Sequence, residues 1–179
     1  MPARPWTLSL MPLCLAVLVV AAPAFAQQGA APAVVTPDFA KAVTPPNLPP
    51  CVKGVVLEGN PRTGPYVALS RCTAGCRIPR HWHTTDERVL WIRGEGTIEM
   101  QGGKPQALRS GSFWFIPSHQ VHQATYTTEC EFFLSRAGAA DIHYVGPDGN
   151  EISFEEAMAA LKKPAAKKSS AKKAGAKQD

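Results

Sequence analysis

Five histidines occur in this chain of 179 residues, and two of them stand together as His81-Trp82-His83. On an extended strand alternate side chains share a face, so both imidazoles point one way and Trp82 points the other. Glu87 lies four residues beyond His83 and keeps that face if the strand resumes after a brief turn at Thr84-Thr85. His122 supplies a fourth donor from a separate stretch. It follows the run Phe113–Ile116 and a turn at Pro117, on a return strand that can lie opposite His81 and His83. Three imidazoles and one carboxylate suit a divalent transition metal, with Fe, Mn, Ni, Cu and Zn all compatible. Such a sphere can leave one or two positions for water, substrate or dioxygen.

Counting in twos from Glu87 places Val89 and Trp91 on the inside, and counting from His122 does the same for Gln120, Ala124 and Tyr126. Tyr126 is the candidate catalytic residue: its hydroxyl can donate to an oxygen at the metal site, or its ring can simply fill space. Trp91 is expected in the pocket wall or core. Arg80 points away from the metal by parity, His143 has a structural role, and His119 sits on an exposed loop. The sequence contains no Gly-x-Ser-x-Gly elbow, phosphate loop or dinucleotide fingerprint. Its cysteines show no setting that would lower a thiol pKa.

The elements that must bring these side chains together are short strands. Apolar, β-branched runs such as Val52–Leu57, Tyr66–Ser70, Arg88–Ile92 and Val121–Thr127 alternate with breaks at Gly59-Asn60-Pro61, Gly64-Pro65, Gly102-Gly103 and Gly146-Pro147. Even spacing of that kind predicts an all-β sandwich or barrel. Gly94 and Gly96 bracket what reads as a hairpin turn. One helix is expected over 151–162, with Ser153 and Glu156 as a capping box and Phe154, Ala157, Met158 and Leu161 on its apolar side.

The two ends differ from the middle. Residues 1–26 read as a secretory signal, with Arg4, an apolar run from Leu8 to Ala22, and a small-x-small site at Ala24-Phe25-Ala26. Export to the periplasm or beyond follows. Residues 27–50 form an Ala/Pro-rich leader, part of which can lie along the barrel of residues 51–150, and 163–179 form a Lys/Ala-rich tail with no apolar side chain beyond alanine. The excess of 19 basic over 14 acidic residues comes from the ends: residues 27–161 hold 11 basic and 13 acidic residues, a formal charge of −2. That middle gives no reason to expect a specific nucleic-acid partner, whereas the lysine tail can make weak contact with an acidic polymer or membrane. After cleavage Cys51, Cys72, Cys76 and Cys130 remain, enough for two disulfides. Cys72-x-x-x-Cys76 reads as a local disulfide or as free thiols rather than a zinc half-site.

The sequence resembles the cupin superfamily. Gly75, His81, His83, Glu87 and Gly94 stand at the spacings of the first cupin motif, and Gly111, Pro117 and His122 match much of the second. His119 stands where the family usually has glycine, and Tyr126 where it often has asparagine. The resemblance covers residues 52 to 135 and implies a jelly-roll barrel (a double-stranded β-helix) with the four donors above as metal ligands. Cupins include dioxygenases, isomerases, decarboxylases and non-enzymatic binding proteins, and often form homodimers. Three readings follow: a small metalloenzyme, with an oxygenase acting on a small organic molecule as the first choice; a non-catalytic periplasmic module that binds metal and a small ligand; and a surface-attachment role centred on the tail.

Overall fold

In the stretch Glu87–Arg93, the side chains of Glu87, Val89 and Trp91 are buried while Arg88 and Leu90 face outward. A period of two hides only one face of a sheet, so two such faces must close on each other. The computed structural model, which describes residues 33–162, closes them as a jelly-roll barrel. In chain order its strands are β1 (Val52–Gly59), β2 (Tyr66–Cys72), β3 (Arg77–Trp82), β4 (Glu87–Arg93), β5 (Gly96–Met100), β6 (Gln106–Leu108), β7 (Phe113–Ile116), β8 (His122–Tyr126), β9 (Cys130–Arg136), β10 (His143–Val145) and β11 (Glu151–Ile152). One antiparallel sheet has the order β1-β2-β9-β4-β7 and the other β11-β10-β3-β8-β5-β6. The signal expected over 1–26 and the tail over 163–179 lie outside the described residues.

Between the sheets sits an aromatic core. Trp91 stacks on Phe132 with ring centroids 5.1 Å apart, and Tyr126 lies 5.6 Å from Trp91. Val89, Trp91, Ile116 and Tyr126 are all but fully buried. Each large apolar side chain so placed contributes about 1.5–3 kcal/mol relative to its exposed state.

The turn at Gly94 departs from the hairpin expected there. β4 pairs with β7 and β9, whereas β5 pairs with β6 and β8, so Gly94-Glu95 carries the chain from one sheet to the other. Gly94 has φ of 88°, and a Cβ on it would lie 2.2 Å from the Glu129 carbonyl oxygen. The glycine pair marks a close crossing of backbones, which the sequence alone does not distinguish from a tight turn.

The helix α1 (Phe154–Lys162) opens with the expected box: the Ser153 hydroxyl accepts from the Glu156 amide at 3.2 Å, and the Glu156 carboxylate accepts from the Ser153 amide at 2.9 Å. It packs against β3 and β10, with Ala157 buried. The cysteines do not form the local bridge. Cys51 is bonded to Cys76, while Cys72 and Cys130 are free, buried and directly opposite one another on β2 and β9. Strand pairing decides this outcome, because β2 and β9 carry Cys72 to Cys130, and Val52 opposite Cys72 leaves Cys51 beyond the end of β1.

Before β1 the chain runs along the barrel. Val43 bridges Gly54 through two backbone hydrogen bonds of 3.1 and 2.9 Å, and the Arg71 guanidinium covers the Phe39 ring at 3.4 Å. Leu48 then packs on the core.

Candidate metal centre

β3 and β8 are direct neighbours, with His81 opposite His122 in the register. The His81 and His122 rings lie 4.1 Å apart between centroids, and the His81 and His83 rings 4.8 Å apart. All three histidines are buried. Trp82 points the other way, as parity requires, and stacks outside the barrel on His143 at 3.9 Å and on His119 at 4.7 Å. One ring nitrogen from each of His81, His83 and His122 lies within 4.8 Å of the others.

The tautomers follow from the backbone. Nδ1 of His81 donates to the Pro79 carbonyl at 2.7 Å, Nδ1 of His83 to the Asp141 carbonyl at 2.7 Å, and Nδ1 of His122 to the Gln120 carbonyl at 2.9 Å. A carbonyl oxygen only accepts, so each Nδ1 holds the proton and each Nε2 keeps its lone pair. Burial holds all three imidazoles neutral, the His83 pKa falling to about 3 and that of His81 well below its usual value. Neutral imidazoles oriented by carbonyl acceptors are the form in which histidine binds a metal. The donor set therefore fits a divalent transition metal.

Glu87 arrives from the opposite sheet rather than from a continuation of the His81–His83 strand, because β3 and β4 belong to different sheets. Its Oε2 lies 3.4 Å from His83 Nε2. It also pairs with Arg136, its cross-strand partner on β9, at 2.5 Å, and its Oε1 accepts from Trp114 Nε1 at 3.3 Å. Burial, the largest single influence, pushes this carboxyl's pKa up, but the Arg136 guanidinium, His83 and His122 together outweigh it and hold the pKa at about 2. With His83 neutral, the close approach of Glu87 to it is not an ion pair.

Arg136 is the residue sequence reasoning missed. Its Nη2 donates both to Glu87 and to His83 Nε2, the latter at 2.7 Å, and its Nη1 reaches the Asp141 carbonyl at 3.1 Å. Its Nε is buried with no hydrogen-bond partner among the described residues. The only signal available was an arginine closing an apolar strand two residues past Leu134, on Leu134's face.

Tyr126 lines the same cavity, which measures about 50 Å³, with Ile78, Ile98 and Ala124 nearby. Burial raises its phenol well above the usual value, so it is a hydrogen-bond donor at neutral pH. Gln120 is half-buried in the turn before β8, and Ala124 is buried. His119 is exposed with φ of 63°, the left-handed region that explains why a glycine would suit the position. His143 accepts no part in the cluster: it lies beside Trp82, with Nδ1 2.9 Å from Glu151.

Residues 38–141, more than half of the chain, match the family model described as the ChrR cupin-like domain. The chain belongs to this cupin family. An acetylacetone dioxygenase from Acinetobacter johnsonii shares the cupin fold with it, at 20% identity and a TM-score of 0.55 over 75% of this chain and 93% of the other. The DMSP lyase DddQ from Ruegeria pomeroyi is similar at 20% identity and a TM-score of 0.50, over 64% of this chain and 62% of that one. In sequence, the DNA damage-repair/toleration protein DRT102 of Arabidopsis thaliana is 33% identical over 82 residues. That match spans 45% of this cupin and 26% of the plant protein.

Proposed function

We propose that this cupin is an exported metalloenzyme, dioxygenase-like, acting on a small organic molecule. His81, His83 and His122 would hold one divalent transition metal, with Glu87 as the fourth donor. The observation that carries the reading is the set of three Nδ1–H bonds to backbone carbonyls, which leaves three basic nitrogens together in a buried cavity. A redox-active metal bound there would supply Lewis acidity and electron exchange with dioxygen. The protein's own part is to keep the imidazoles neutral, to hold Glu87 ionised beside Arg136, and to donate a hydrogen bond from Tyr126 toward a substrate oxygen. Apolar neighbours such as Ile78, Ile98 and Ala124 would lower the local dielectric and strengthen that bond. The fold shared with acetylacetone dioxygenase makes diketones a natural first substrate class to try.

Export is supported by the signal-like residues 1–26 and by the Cys51–Cys76 disulfide, which an oxidising compartment preserves. A homodimer is supported by the outer face of β9, β4 and β7, where Phe133, Leu90 and Phe113 are paired in register and exposed. The lysine tail remains suited to weak contact with acidic polymers or membranes.

The test is metal analysis of protein purified from its exported compartment, followed by oxygen uptake by iron-loaded protein with phenols, diketones and sugars. About one metal per chain, lost in His122→Ala, is expected. Absence of stoichiometric metal would overturn the proposal. The cavity of about 50 Å³ favours a second reading, a non-catalytic module for metal and a very small ligand. Thermal stabilisation by ligand without turnover would select it.

A further inference from the structure

The leader ends in Pro45-Pro46-Asn47-Leu48-Pro49-Pro50, four prolines around one aliphatic side chain. Proline fixes φ and so stiffens the backbone on both sides of Leu48. The strap is also fastened. Leu48 donates its amide to the Pro45 carbonyl at 3.2 Å, Val52 donates to Pro49 at 2.9 Å, and the Tyr144 hydroxyl donates to the Asn47 carbonyl at 2.7 Å. Asn47 adopts φ of 58°, and the disulfide at Cys51 ties the end of the strap to the start of β3. Tyr144 is itself opposite His81 in the β10–β3 register, its ring 6.0 Å from the imidazole.

Leu48 lines the cavity that holds the three imidazoles. Apart from Leu134, which is built into β9, it is the only lining side chain among the described residues that is not buried. Part-exposed and lining the cavity at once, it is carried by a segment that belongs to neither sheet, which makes it the candidate for the cavity's mouth. We infer that Leu48 is a specificity-determining residue, a rigid plug that limits the size of molecule able to reach His81, His83 and His122. The inference rests on the three histidines being the reactive site, and its content is a size limit set by a leader residue rather than by the barrel. The stiffness of the strap makes it a fixed filter and not a swinging lid.

The experiment uses the full chain and its Leu48→Ala, Leu48→Met and Val43→Ala variants, loaded with Co(II). Azide and 4-phenylimidazole are titrated while the visible spectrum of the cobalt is followed. Leu48→Ala is expected to tighten 4-phenylimidazole at least tenfold and to change azide less than twofold. Leu48→Met, which keeps the volume, and Val43→Ala, an exposed strap residue outside the cavity, should match the unaltered protein. A second measurement needs no metal: benzene should raise the melting temperature of metal-free Leu48→Ala and leave that of the unaltered protein unchanged, since the space vacated by Leu48 joins a cavity whose lining includes Val52, Ile78, Ile98 and Leu134, and apolar space of sufficient size takes up such ligands. Missing cobalt absorption in the unaltered protein would strike the metal reading, and the benzene arm would still decide the plug. Folded Leu48→Ala that shows neither size-selective tightening nor benzene stabilisation would overturn the inference.

Discussion

Acid should unfold the metal-free protein over a window set by its buried imidazoles. In the folded chain His81, His83 and His122 are neutral, chiefly because they are buried, and His83 titrates only at about 3. In the unfolded chain each returns to roughly 6.5. A histidine whose folded pKa is depressed contributes its full stability above the unfolded value, and that stability drains away as the pH falls toward the folded value. Well below pH 6 the unfolded state binds about one extra proton for each histidine that stays neutral in the folded chain, each removing about 1.4 kcal/mol per pH unit. While all three stay neutral in the folded chain, the slope is about 4 kcal/mol per pH unit. Glu87 acts in the same direction lower down, since its carboxyl is held at about 2 and its stabilisation is lost from the usual carboxylate range downward.

A domain stabilised by about 5–15 kcal/mol cannot survive such a slope for long, and the transition should fall between about pH 5 and pH 3. Urea unfolding in chelator at a series of pH values from 7.5 to 4 gives the slope directly. His83→Gln should lower it by about one proton. A slope of one proton or fewer between pH 6 and 4.5 would refute the claim that the three imidazoles are held neutral by burial.

Replacing Arg136 with Met should cost about 3–5 kcal/mol and raise the pKa of Glu87, because a buried carboxylate loses its guanidinium counter-ion; unfolding curves of this variant and of Arg136→Met combined with Glu87→Gln check it, the second being the more stable. Gly94→Ala should destabilise strongly, well beyond the roughly 1 kcal/mol expected of Gly102→Ala, since both have positive φ but only Gly94 has backbone within 3 Å of the added Cβ. Thermal melts of the pair decide it. Reduction of the Cys51–Cys76 bond, which spans 25 residues, should cost about 3.5 kcal/mol, read as a lower denaturant midpoint for Cys51→Ser combined with Cys76→Ser.

Much of the site was legible because strand parity is a strong constraint. His81 and His83 had to share a face and Trp82 had to oppose them, and the outward placement of Trp82 follows from that rule, while its stacking on His143 comes from the pairing of β10 with β3. The capping box at Ser153 was equally local. What could not be read were relations between strands. Gly94 and Gly96 carry the same local signal whether the chain turns back within a sheet or crosses to the other one. Cys72 meets Cys130 only because β2 pairs with β9. Arg136 carries no local signal beyond that of a charged residue near a strand end, and its burial depends on Glu87 arriving opposite it from β4.

These long-range relations also divide the site electrostatically. The neutral donors, His81 and His122, come from β3 and β8 with His83 just beyond β3, while Glu87, Trp114 and Arg136 come from β4, β7 and β9 of the facing sheet. One wall of the barrel thus supplies lone pairs and the other a carboxylate already neutralised by a guanidinium. A cation entering between them would meet the imidazoles without an opposing fixed charge, yet would compete with Arg136 for His83 Nε2 and Glu87. If Arg136 keeps Glu87, the three histidines hold the metal and the carboxylate stays beside it; if Arg136 gives way, Glu87 can join. The Arg136→Met variant separates the cases, because tighter metal binding would mean that the guanidinium had been a competitor, and weaker binding that it had been holding Glu87 in place.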